Sequence, residues 1–487
     1  MTVDKNLPPS WIWAKIKDLG LIVSGGTPKT SEPSNFDGNI PWITPADLTG
    51  YTAKTIGKGR KSISQKGLEA SSAKLMPKRT VLFSSRAPIG YVAIAGNDLA
   101  TNQGFKSVIV DESLDEEFVY YYLKSAKQLA ENAASGTTFK EISGSRFAEL
   151  PIPVAPLNEQ HQIVEKIETL FARLDKAEEA VREVQKLLKQ YRQSVLKAAV
   201  TGELTIDWRA ENKDKLEPAS DLLSRILKTR RENWQGRGKY KEPAEPDTSD
   251  LPDLPEGWIW ASLEQLFEVY GGATPSRKEK GYWGGKIPWV SSGEVAFCRI
   301  AETSETITSE GYASCSTKLH PPGTILLAMI GEGKTRGQAA ILDIEACNNQ
   351  NAAAIRVSET EVPVEYIYYY LMGSYEDNRL KGQGGNQPAL NGGKVKQFNV
   401  PVPPINEMLE VSRLVEDVFS STDLLETWCE TELKRSASLR QSILKDAFSG
   451  KLVPQDPEDE SASELLARIK AENDATKPAP KHRKVNA

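Results

Sequence analysis

The chemistry this sequence offers is hydrogen bonding and charge. Asn102-Gln103 returns 247 residues later as Asn349-Gln350, and Thr27-Pro28 returns as Thr274-Pro275. Asn and Gln amides can hold adenine bidentately, and they also cap turns; both readings stand for these pairs. Single cations in Gly- and Ser-rich loops add a second set: Arg86, Lys140, Arg277, Lys334 and Arg336. Arg reads guanine O6/N7, and Arg or Lys anchors phosphate. The bland reading of each is a solvated loop charge. Lys29 and Lys278 follow the two Thr-Pro steps, and Lys58, Arg60 and Lys61 lie in a basic cluster. Asn386 and Gln387 carry adenine-type amides in a polar loop, and Thr137 sits in a similar one.

No catalytic constellation accompanies them. His161, His320 and His482 are scattered. Cys298, Cys315, Cys347 and Cys429 form no CxxC pair, so neither a metal site nor a disulfide framework is expected. Ala328, Gly333, Lys334 and Thr335 fit a relaxed phosphate-binding loop, and Val108 to Glu112 resembles the acidic strand of a nucleotide hydrolase. Such a loop must run from strand into helix. Here Ala339 to Leu342 reads as a returning strand, so a hairpin is expected. An ATPase reading fails on that context.

Around these residues the sequence is organised by a helix expected over residues 163–198. Its apolar positions, Ile163, Ile167, Leu170, Leu174, Ala177, Val181, Val184, Leu188, Tyr191, Val195 and Ala198, step by four, then by three and four in alternation. That is a coiled-coil seam about 54 Å long, and it needs a partner. Adding 248 gives a second seam: Val411, Val415, Val418, Thr422, Leu425, Cys429, Glu432, Ser436, Leu439 and Ile443. The lobes before the helices are duplicated too: Trp11 and Trp13 match Trp258 and Trp260, Ile40-Pro41-Trp42 matches Ile287-Pro288-Trp289, and Tyr120 to Leu123 matches Tyr368 to Leu371. Repeated Trp and Tyr are most simply packing residues.

Each lobe reads as short strands with one helix, over residues 117–133 or 364–380, and ends in a Pro-rich extended strap. Asn158 and Asn406 are expected to cap the long helices. Further helices are expected near residues 222–234 and 463–472, with a flexible acidic run between the first of these and the second lobe. The order lobe–helix–lobe–helix implies an antiparallel helix pair and internal two-fold pseudosymmetry, which suits duplex DNA.

No apolar run approaches the ~20 residues that span a bilayer, and residues 1–9 lack a signal-peptide core, so the expected location is the cytoplasm with no membrane. The net charge of −5 argues mildly against a polyanion partner, but screening confines fields to about 8–10 Å and a basic patch acts locally.

Several motifs together resemble one family. They are Leu254 to Trp258, Gly25 to Pro28 with Ile40 to Trp42, Pro151 to Gln160, and Val200 to Arg209. Their order in both copies is similar to that of the DNA-specificity subunits of type I restriction–modification systems. The resemblance implies an α+β chain in which two pseudo-symmetric α/β target-recognition lobes are joined by two long helices in an antiparallel coiled coil. It implies residues 1–156 as the first lobe, 157–202 as its helix and 203–253 as a linker. Residues 254–404 and 405–452 would be the second lobe and helix, and 453–487 a short helix with a basic disordered tail. It further implies a non-catalytic subunit that reads a bipartite target in double-stranded DNA, one lobe per half, with the coil setting the gap. The expected partners are two adenine-N6 methyltransferase subunits and two motor–nuclease subunits. S-adenosylmethionine, ATP and Mg would serve those partners, and this chain would bind no cofactor.

If the lobes read different half-sites, residues common to both cannot supply the difference. Specificity should then lie in matched loops of unlike content: 29–37 against 276–283, 44–49 against 291–297, 84–89 against 331–337, and 135–140 against 382–391. The competing reading is a coiled-coil spacer carrying two lobes that bind protein or carbohydrate.

Overall fold

The computed structural model describes residues 7–136, 140–234, 238–331, 333–380 and 390–475. The chain divides into two units, residues 1–181 with 430–487, and residues 182–429. Each unit holds one lobe, half of each long helix, and a short helix that closes the lobe.

The lobes share one topology. In the first, five strands run in the order Gly20–Ser24, Lys106–Val110, Val81–Ser85, Ile89–Ala95, Thr55–Ile56. In the second the order is Val269–Gly271, Ala352–Ile355, Ile325–Ala328, Ala339–Leu342, Cys298–Ile300. A three-stranded sheet accompanies each, centred on Phe36–Ile43 or Trp283–Val290. Central strands such as Val81–Ser85 are buried on both faces, which is why Val81, Leu82 and Phe83 follow one another without polar alternation.

The Pro-rich straps are strands. Pro151–Val154 pairs antiparallel with Ile12–Lys15, and Asn399–Val402 with Ile259–Ser262, so the end of each lobe is tied to its beginning. Proline is tolerated because these are two-stranded edges. The single helices expected in each lobe are pairs: Glu116–Ser125 with Lys127–Ala133, and Val364–Gly373 with Tyr375–Leu380. At the first break the Ala126 N–H donates to both Tyr122 and Leu123 carbonyls, tightening the last turn. The tyrosines pack as expected: Tyr366 and Tyr370 hydroxyls donate to the Pro401 and Asn399 carbonyls at 2.6 and 2.9 Å.

The long helices are Leu157–Thr201 and Ile405–Ala447. Asn158 and Asn406 are not their caps. The Pro156 carbonyl already accepts from Gln160, and the Pro404 carbonyl from Met408, so each helix starts one residue before its asparagine. Asn158 instead donates to Asp459 at 2.7 Å.

Within each unit the helices run antiparallel, and the seam differs from the apolar stripe. Ile163, Ile167, Val415 and Leu188 are buried, and Leu170, Leu174, Val181, Val418 and Ile443 are half-buried. Val184, Leu425 and Leu439 are exposed, at 38%, 47% and 43%. Thr422, Cys429 and Ser436, seven residues apart, are buried. Small residues there make room for long polar partners: Thr422 Oγ1 accepts from Arg192 Nε at 2.7 Å, and Ser436 Oγ donates to Glu178 at 2.6 Å. Buried polar groups require such partners, so these expected seam positions are kept by hydrogen bonds while the expected Leu425 and Leu439 are left exposed.

Two clamps fix the pairing. Arg440 binds Asp175 and Glu178 at 2.6 and 3.0 Å and lies 5.1 Å over the Phe171 ring. In the other unit Arg192 binds Asp423, sits 3.8 Å from Glu426 and lies 5.1 Å over Phe419. Every member is offset by 248 from its counterpart.

The short helices are Ala219–Glu232 and Ala462–Ala475. Leu465 and Ile469 join the first lobe's core with Trp11, Phe118, Leu444 and Phe448, and Leu222 and Ile226 join the second lobe's. The acidic run expected to be flexible is held by the second lobe: Ser262 donates to Ala244, Trp260 to Pro252 and Asn399 to Asp247. The basic tail after residue 475 lies outside the described residues. No helix among the described residues is long and apolar enough to cross a membrane.

Candidate nucleic-acid interface

The motifs shared by both lobes converge on one place in each. The glycine-rich loop after the first long-sheet strand lies so close to the Asn-Gln loop that a Cβ on Gly25 would stand 1.9 Å from the Asn102 carbonyl oxygen, and on Gly272 2.2 Å from that of Asn348. Only glycine permits this approach. The Trp42 indole N–H donates to the Gly26 carbonyl, and Trp289 to Ala273, each at 3.0 Å. The repeated Trp is therefore a strut for the loop.

What the loops present is a threonine–glutamine pair. Thr27 Oγ1 donates to Gln103 Oε1, and Thr274 Oγ1 donates to Gln350 Oε1 at 2.5 Å. Both glutamines are exposed. Each amide thus has its oxygen engaged by the threonine hydroxyl. The neighbouring asparagines are turn caps: Asn102 Oδ1 accepts from Gly104 N–H at 2.9 Å and Asn349 Oδ1 from Asn351 N–H at 3.1 Å. Each Asn thus uses its Oδ1 to cap a turn, and each Gln side chain is exposed.

The loop cations differ between lobes. Arg86 lies 3.6 Å from Glu141, next in sequence to the exposed Lys140. Arg277 pairs with Glu305 at 2.9 Å and stacks 3.7 Å over the Trp283 ring, so its guanidinium is already oriented and partly satisfied. Arg60 lies 3.8 Å from Asp47, whose carboxylate also caps Thr44 at 2.8 Å. Lys61 begins the strand Lys61–Ile63 of the three-stranded sheet, opposite Trp42, and Lys58 and Arg60 lie in the connection that leads into it. Lys29, Lys58, Lys61, Lys278 and Lys334 are exposed, and Arg336 is half-buried. Thr137, Asn386 and Gln387 lie outside the described residues.

The relaxed phosphate-loop match is a hairpin, as expected. Ile325–Ala328 and Ala339–Leu342 pair antiparallel around Lys334, and no helix follows Thr335. No group of three or more metal-ligating side chains occurs among the described residues.

Sequence reasoning missed Lys106, which the structure places on the strand Lys106–Val110, beside Gln103. It also missed two buried carboxylates at the starts of the long helices. Glu159 accepts from Trp11 Nε1 at 2.8 Å and Gln455 at 3.0 Å. Glu407 accepts from Trp258 Nε1 at 2.9 Å, Thr205 at 2.7 Å and Arg209 at 2.8 Å. The 248-residue offset of the two glutamates was the available signal.

A family model described as the type I restriction modification DNA specificity domain matches residues 8–184 and 255–435. The MjaIX specificity subunit of a type I restriction enzyme from Methanocaldococcus jannaschii is 27% identical over 416 residues, 85% of this chain and 88% of that one. A structure titled for complex assembly and conformational transition of the type I R-M system superposes with a TM-score of 0.62 at 19% identity, over 92% of this chain and 100% of the other. The HsdS subunit from Thermoanaerobacter tengcongensis gives 0.55 at 18% identity, over 93% of this chain and 100% of that one. With both copies matched in order, and the fold repeated in each unit, the chain belongs to the type I restriction–modification DNA specificity family.

Proposed function

We propose that this chain is the DNA-reading subunit of a type I restriction–modification complex. Each lobe contacts one half of a bipartite duplex target, and the paired long helices set the gap. The observation that carries this reading is the exposed, threonine-held glutamine repeated at the same point of both lobes, flanked by loops that differ. A common contact with unlike surroundings is what two different half-sites on one duplex require. The contact set comprises Thr27, Gln103, Thr274 and Gln350 with the flanking cations Lys29, Arg86, Lys140, Arg277, Lys278 and Lys334; Lys58, Arg60 and Lys61 extend it along the backbone. The chemistry belongs to partners: adenine-N6 methyltransferase subunits using S-adenosylmethionine, and ATP-driven motor–nuclease subunits, two of each.

The test is a genome-wide map of N6-methyladenine in the source cell with and without the gene. A gapped two-part motif that loses methylation only in the deletion is the expected result. Unchanged methylation, with the partner methyltransferase expressed, overturns the assignment in favour of a spacer protein.

A further inference from the structure

The first lobe carries a charge that its own fold does not use. Lys106, on the strand Lys106–Val110, is 8% exposed. Its stem passes Gly144 and Ser24: a Cβ on Gly144 would lie 3.8 Å from Lys106 Cδ and 3.5 Å from Ser24 Oγ. The ammonium has three donors, and its hydrogen bond among the described residues is to the Gln103 carbonyl, at 3.5 Å. Glu141, the nearest acid to influence it, is engaged by Arg86. Burial holds the Lys106 pKa below the usual lysine range, Glu141 opposes that, and Arg86 adds to the lowering. A buried cation with so few partners is costly.

The second lobe shows that the fold does not require it. Lys106 faces Ser24 across the sheet, and at the same register Ala353 faces Gly271. Where Ser85, just before Arg86, accepts from Ile142, Met329 accepts from Leu390, and the next residue is the exposed Ile330. Among the described residues, Lys106 and Arg86 are therefore basic at two register positions where the second lobe has Ala353 and Ile330, beside the Thr27–Gln103 pair.

We propose that Lys106, with Arg86, anchors a phosphate of the DNA backbone against the first lobe. An anionic oxygen compensates a buried ammonium, whereas the neutral acceptor of a base edge does not. The Gln103 backbone carbonyl holds the ammonium, and the exposed Gln103 side chain belongs to the same residue. This rests on the reading that the lobes face DNA.

The test uses the full chain in its methyltransferase complex and Lys106→Met, which keeps the stem. Binding is measured against a labelled duplex carrying the motif from the methylation map, and against a scrambled duplex, over a range of salt. The variant is expected to bind several-fold more weakly at low salt, with a log–log salt slope shallower by about 1 and an unchanged base preference. Its thermal midpoint should equal or exceed that of the wild type, because a buried charge is gone. Unchanged affinity and slope, a lowered midpoint, or altered preference at one base pair each overturn the anchor. A wild type that does not distinguish target from scrambled duplex sinks the DNA reading itself, whereas normal wild-type binding matched by the variant sinks the anchor alone.

Discussion

The two lobes have the same strand order and the same tryptophan-strutted threonine–glutamine pair, yet beside that pair one has Arg86 and Lys106 and the other Ile330 and Ala353. The joints between lobe and coil differ in the same manner. Glu407 is fully buried with a guanidinium against it, whereas the donors to Glu159, 1% exposed, are neutral among the described residues, Trp11 and Gln455. Duplication thus preserved what shapes the backbone and let charge drift wherever a neutral group could satisfy the same geometry. Each unit has its own electrostatic character on a common frame.

The largest test of that comparison is at the joints. Arg209→Met strips Glu407 of its cation and is expected to destabilise the second unit by about 3–5 kcal/mol. Gln455→Met removes one neutral donor from Glu159 and should cost the first unit about 1–2 kcal/mol. Urea unfolding followed by amide exchange in each unit reads both, and equal losses would break the contrast.

Acid should then move the units in opposite senses. Burial pushes His320 down to about 4, beside Arg356, whose Nε donates to its Nδ1 at 3.2 Å. Between pH 6.5 and 4 the unfolded chain binds the proton that the folded unit refuses. The second unit is therefore unaffected by His320 above pH 6.5 and loses roughly 2–3 kcal/mol as pH falls to 4. His320→Gln should flatten that loss. Burial raises the Glu159 pKa, so ionised Glu159 penalises the first unit at neutral pH, and the penalty fades as pH falls through the folded value. The stability gap between wild type and Glu159→Gln should accordingly narrow in acid; a constant gap would refute the buried-charge account.

The smallest effect concerns what the units share. Arg192→Met and Arg440→Met each remove one copy of the same clamp and should cost about 1–2 kcal/mol apiece, alike within about 0.5 kcal/mol. Unequal costs would show that the coil halves have diverged as the lobes have.

Duplication, the two long helices, the lobe order and the family were legible in the sequence, because they rest on repetition and period, which survive without coordinates. The same is true of the helix partner: the offset of 248 also pairs Arg192 with Arg440, Asp175 with Asp423 and Phe171 with Phe419. Three things were decided only by tertiary structure. Of the seam positions that the offset marks, the small Thr422, Cys429 and Ser436 are buried while Val184, Leu425 and Leu439 are exposed, because interhelical contact is settled by which side chains fit and find hydrogen-bond partners, not by apolarity along one helix. Asn102 and Asn349 cap turns with their Oδ1 atoms while Gln103 and Gln350 are exposed, in a loop packed so closely on the glycine loop that a Cβ there would clash, which no local pattern encodes. Lys106 stayed hidden in a strand of apolar neighbours, because the sequence gives a residue its charge, and only the packing around it determines whether that charge is answered.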